Sequence, residues 1–203
     1  MTMSKVIFVT DGDAIAVKAV LAATKVLHLG CIILSGGNPS VCTYEDLNKA
    51  ILHSKHDTTV VMFDDAGTTS VGPGERLMKR LVEEGHIHVL GALAVSSANR
   101  SGDWTRVNVS IDRNGNLVSN GVDKEGIEEL DDHRVYGDTV YILDQLALPI
   151  IVGVGDLGKM GGKDHPHHGS PVTQRALNLI LERSGFDGRK IKTRTYTALD
   201  QHS

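Results

Sequence analysis

The sequence predicts an α/β fold, a Rossmann-like three-layer sandwich with a mainly parallel sheet and an inserted β-hairpin. Three observations carry this. Short β-branched runs alternate with longer segments of helical periodicity along most of the 203 residues. The runs are apolar throughout rather than at every second position, as strands covered on both faces are. The alternation breaks once, at residues 97–134, where Asn114-Gly115 separates two strand-like runs.

Taken in order, Lys5–Thr10 (KVIFVT) is the first buried strand, and Asp13–His28 carries Ala, Leu, Val and Lys at helical spacing up to Gly30. Cys31–Leu34 opens a second strand, which completes a β-α-β unit. A helix over Glu45–Ser54, a strand over Thr59–Phe63, a helix over Gly74–Glu84 ended by Gly85, and a strand over His88–Val95 continue the pattern. Such alternation implies parallel strands with helices on both faces. After the insertion, a helix over Val135–Leu146 and a strand over Pro149–Gly153 return to it. The last helix is predicted to start at Ser170-Pro171, an N-cap followed by Pro at the first helical position, and to close at Gly185. This gives one domain over residues 1–185 and a polar tail over 186–203. The tail's Arg189, Lys190, Lys192 and Arg194 suit a solvated terminus or an anionic membrane surface, at ~1 kcal/mol per basic residue.

Acidic residues outnumber basic ones, 25 to 21, so the net charge of −4 gives no field that would gather polyanions, and nucleic-acid binding is not expected. The longest apolar stretch, Ala14–Leu27, is broken by Lys18, Thr24 and Lys25 and is shorter than the roughly 20 residues that span a bilayer. No secretory signal precedes the first strand, so synthesis and residence on the cytosolic side are expected. Cys31 and Cys42, without metal-type spacing, read as free thiols.

In open parallel sheets, ligands bind beyond the carboxyl ends of the strands. The first strand runs into Asp11 and Asp13 and the third into Asp64 and Asp65, so neighbouring strands would bring up to four carboxylates to one edge. Charges that close call for a cation or for raised pKa values, and an all-oxygen set suits Mg²⁺ or Ca²⁺. The same aspartates also suit helix caps and turns. Ser35, Gly36, Gly37 and Asn38 follow the second strand and can cradle an anion with backbone N–H groups, or simply turn the chain. The order Asp11-x-Asp13, Ser35, Asp64-Asp65 is similar to haloacid-dehalogenase-type phosphotransferases, with Asp11 as nucleophile and Lys49 or Lys55 as charge stabiliser. Asp64-Asp65-Ala66-Gly67 before Gly74-Glu75-Arg76 is similar to half of a Toprim metal site. Neither match is complete: Ala14-Ile15 stands where the first pattern has Gly-Thr, and Asp11 where the second has Glu. Gly153-Val-Gly155-Asp-Leu-Gly158 spells a dinucleotide fingerprint, but no helix opens directly after it, so it reads as a strand-end loop. His165, His167 and His168 beside Asp164 read as a loop with histidines, or as a Zn²⁺ or Ni²⁺ site.

The ordered segments VIFVTDGD, SGGNPS, VMFDDAG with GPGE, VLGALAVSS, SIDRNGNLVSNGVDKEG and IVGVGDLGKMGGKD resemble, together, the stage V sporulation protein AE family, specifically its soluble member. The resemblance spans Lys5 to Gly185. It implies a sporulation and germination role as a binding or docking component of the spore's dipicolinic-acid transport system. The implied partners are the other dipicolinic-acid channel proteins, and the implied location is the periphery of the inner spore membrane. It supplies no catalytic residues. A Mg²⁺-dependent phosphoryl-transfer enzyme is the competing class.

Overall fold

A computed structural model describes residues 3–34, 42–65, 71–97 and 102–183. The first half alternates as the sequence predicts: β1 Ser4–Val9, α1 Ala14–Leu27, β2 Gly30–Ile32, α2 Tyr44–Leu52, β3 Thr58–Met62, α3 Pro73–Glu84 and β4 Ile87–Val95. The second half holds β5 Trp104–Arg106, β6 Val109–Ile111, β7 Leu117–Val118, β8 Arg134–Tyr136, β9 Ile151–Val154 and α4 Pro171–Arg183. Among the described residues, seven strands form one sheet in the order β2-β3-β1-β4-β9-β6-β7, and β5 pairs with β8 in a separate two-stranded ribbon. All pairings in the large sheet are parallel except β6 with β7.

The two-residue period of β1 divides the core. Ile7 and Val9 pack with Ala16, Ala19, Val20 and Ala23 of α1 and with Val172, Ala176, Leu179 and Ile180 of α4. Val6 and Phe8 face the other way, onto Leu47 and Ile51 of α2 and Leu77, Met78 and Leu81 of α3. Phe8 meets Phe63 edge to face, with ring centres 5.2 Å apart and planes at 84°. Each such fully buried side chain contributes about 2–3 kcal/mol of transfer free energy, which is why these runs carry no polar interruption.

Local chemistry sets the helix ends. Asp13 caps α1, accepting from the Ile15 and Ala16 amides at 2.7 and 2.8 Å, and His28 ends it in the left-handed conformation. Thr43 caps α2 by accepting from the Asp46 amide, and its hydroxyl donates back to the Asp46 carboxylate. Gly85 closes α3 at φ 67°.

Three expectations are corrected. Residues 135–146 do not form a helix: Val135 and Tyr136 pair with β5, and the chain then makes a 3₁₀ turn over Tyr141–Gln145. Gly137 explains the break, since a Cβ there would lie 2.6 Å from the Val95 carbonyl, an approach that the two strands require. Ser170 does not cap α4. It sits at φ 55°, and the cap comes from Asp164, which accepts from the Thr173 amide and hydroxyl and from the Gly158 amide. The hairpin exists, but only Gly115 takes a positive φ. Asp112 forms the rest of the turn by accepting from the amides of Asn114 and Asn116. Nor is the hairpin an appendage, because β6 runs parallel to β9 and extends the main sheet. The predicted anion loop Ser35, Gly36, Gly37 and Asn38, and the basic tail, lie outside the described residues.

Candidate functional site

The direction of the connections locates the crevice. From β1 the chain leaves over the face that carries α1, whereas from the adjacent β3 it leaves over the opposite face with α3. The carboxyl ends of β1 and β3 therefore flank a switch point, where the loops diverge and leave space. The register Val9↔Met62 brings the segments Asp11–Asp13 and Asp64-Asp65 out side by side at that edge.

The aspartates nevertheless do not share partners: Asp65 and Asp13 turn to different parts of the chain. Asp65 is fully buried and turns to α3, accepting from the Gly74 amide at 2.5 Å and the Glu75 amide at 3.1 Å. Its own amide donates to Thr139. A Cβ on Gly72 would overlap the Asp65 carboxylate, so the glycine makes room for this cap. Burial pushes the Asp65 pKa up, the two amides oppose that, and Asp138 adds to it. Asp64 is buried at 8% exposure beside it.

Asp13 turns instead to the loop that follows β9, whose charges Asp11 also feels. Lys159 Nζ lies 2.8 Å from Asp13 and 2.9 Å from Asp156, an ammonium clamped between two carboxylates. Burial works against the lysine's charge, but the two hydrogen bonds and the surrounding negative charge outweigh it and raise its pKa. For Asp13 burial pushes upward, and Lys159 with the Ala16 and Ile15 amides brings the pKa below the ordinary value. Asp156 stays above it, since burial there exceeds the pull of Lys159.

Asp11 is the unsatisfied member. Its Oδ1 accepts one bond, from the Asp13 amide at 3.2 Å, while its enclosed Oδ2 finds no partner among the described residues. Burial raises its pKa to about 8, opposed by that amide and by Lys159 and reinforced by the charges of Asp13 and Asp156. At neutral pH the carboxyl is thus mostly protonated, a hydrogen-bond donor beside a fixed ammonium. The loop that holds Lys159 is itself strained: Met160 sits at φ 47°, in the left-handed region, and Gly161 and Gly162 follow it there. Such backbone costs of order 1–3 kcal/mol per non-glycine residue and clusters where function fixes a side chain.

Among the described residues no three His, Cys, Asp or Glu side chains are grouped so as to hold a metal ion. The imidazoles of His165 and His167 stack at 5.0 Å, and Asp164 beside them is committed to capping α4. Lys49 and Lys55, expected as charge stabilisers, sit late in α2 and ahead of β3, which places them toward the amino end of the sheet. The ammonium that reaches Asp13 is that of Lys159. The family model described as Stage V sporulation protein AE1 matches residues 5–184. The chain belongs to the stage V sporulation protein AE family. Its role is accordingly in sporulation, and neither a curated protein nor a solved structure matches it significantly. Among the described residues of this family member, no helix is long and apolar enough to cross a membrane.

Sequence reasoning missed Asp156 and Lys159. Their signal was present in Gly153-Val-Gly155-Asp156-Leu-Gly158-Lys159, directly after a strand. The glycines suggested a mobile loop, but Gly158 is held against Ile15 and Ala19, which is how the loop reaches the start of α1.

Proposed function

We propose that this sporulation protein is a binding and docking component of the spore's dipicolinic-acid transport system. In this reading it works beside the membrane-embedded channel proteins at the periphery of the inner spore membrane. The observation that carries the proposal is the family match over residues 5–184. In this reading the ligand meets the switch-point edge at Asp11, whose enclosed Oδ2 has no partner among the described residues. A calcium ion, free or chelated by dipicolinate, takes oxygen ligands at roughly 2.3–2.6 Å and would replace the proton on Asp11.

Phosphoryl transfer is the less favoured reading. It has Lys159 beside Asp13 on its side, but a nucleophilic Asp11 would have to be ionised, and its burial holds it protonated at neutral pH.

The test is calorimetric titration with Ca²⁺, Mg²⁺ and calcium dipicolinate in two buffers of different ionisation enthalpy. Saturable binding that releases about one proton and disappears in Asp11→Asn is the expected result. No binding to the millimolar range would remove the ligand role. In that case docking is tested by co-purification of the chain with the channel proteins from sporulating cells.

A further inference from the structure

The ribbon of β5 and β8 carries a feature that the fold does not require. Its register pairs Trp104 with Tyr136, Thr105 with Val135 and Arg106 with Arg134. Thr105 and Val135 are fully buried, so strand alternation sets Trp104, Arg106 and Arg134 on the other side. Two arginines stand directly opposite each other there, and like charges in a cross-strand pair are destabilising. No carboxylate among the described residues forms an ion pair with either guanidinium. The Arg134 guanidinium instead lies over the Trp104 ring, 4.2 Å from its centre, which fixes its plane without neutralising it.

A cavity of about 520 Å³ opens beside this pair, lined by Arg106, Leu130, Asp131, Asp132, His133 and Arg134. That volume is within the roughly 300–1,000 Å³ of small-molecule sites. The lining is shaped by specific contacts. Asp132 accepts from the Tyr136 hydroxyl at 3.0 Å, His133 is tied through Nδ1 to the Ser119 carbonyl at 3.0 Å, and Asp131 turns the chain at φ 61°.

We propose that this cavity binds a small carboxylate, received by Arg106 and Arg134 through the planar fork that matches a carboxylate's two oxygens. The mixed sign of the lining favours a carboxylate over a phosphate dianion, which would face the charges of Asp131 and Asp132 as well. The site shares no residue with the Asp11 cluster and stands independently of the reading given above.

Trp104 is the chain's only tryptophan, so its emission reports on the guanidinium stacked against it. The full chain is titrated with the monocarboxylates acetate, lactate and pyruvate, and in parallel with inorganic phosphate, at constant ionic strength. The expected result is a saturable emission change with at least one carboxylate, matched by calorimetric heat and weakened about tenfold or more in Arg106→Gln. That substitution leaves Trp104 and Arg134 in place, and circular dichroism checks that the variant is folded. No saturation by any carboxylate up to ~10 mM overturns the proposal. So does saturation by phosphate alone, or an affinity unchanged by Arg106→Gln.

Discussion

The ends of β1 and β3 look alike in sequence and behave differently in the structure. Each strand finishes in a pair of aspartates, and the two strands are neighbours in register. Ten residues separate β3 from α3, which starts at Pro73, and the first amides of that helix come back to Asp65. After β1 the helix starts at once, so Asp13 takes the α1 amides and Asp11 receives a single N–H. A carboxylate at a strand end becomes a structural cap or a chemically poised group according to how many donors the next helix brings to it. Asp65 is of the first kind and Asp11 of the second.

The contrast can be broken most strongly at the caps. Asp65→Ala would leave two buried amides without an acceptor, and a loss of about 3 kcal/mol is expected in the urea unfolding free energy at unchanged m-value. Asp164→Ala should cost a similar ~3 kcal/mol, because three donors lose one buried acceptor. Asp11→Asn should act in the opposite direction. Asp11 has a native pKa of about 8, above its unfolded value of 3.8, so folding takes up a proton between those values. Stability from this group is therefore whole below about pH 4 and lost as pH rises to about 8. The Asn variant should match the parent at pH 4 and be the more stable of the two at pH 8, read from thermal unfolding across that range. A variant no more stable than the parent at pH 8 would show that Asp11 is satisfied as it stands.

The smallest effect belongs to Lys159→Met. The lysine is partly exposed, so solvent screening limits its loss to below about 1 kcal/mol of stability. The sharper readout is a carboxyl NMR titration of Asp13, which should move up from its lowered pKa once the ammonium is gone.

The parallel framework was readable because its information is local. Runs such as Val6–Val9 and Val60–Phe63 are apolar at every position, and Asp13, Thr43 and Gly85 mark helix ends by their own chemistry. The helix expected over Val135–Leu146 failed because pairing with β5 and the contact of Gly137 with Val95 come from distant chain. Tertiary contact there outweighed periodicity. The candidate site was legible by halves for the same reason. Strand ends located Asp11 and Asp13, but the partners of these two stand about 145 positions later, and only the sheet order, with β9 two strands from β1, brings Lys159 to them. The arginine pair was invisible because nothing in sequence sets Arg106 against Arg134 until the ribbon register is known.

The sheet order also has a consequence in time. β4 is complete at Val95, yet the strand that covers its outer edge begins only at Ile151, 56 positions later. At about 5–20 residues per second on the ribosome, the nascent chain holds β1 to β4 for several seconds with a nine-residue apolar edge unpaired. Gly91 bends that strand at a register shift against β1, so the waiting edge is a poor template for a second nascent chain. The irregularity that fits β4 to Ile150 in the finished protein thus also guards the half-made one.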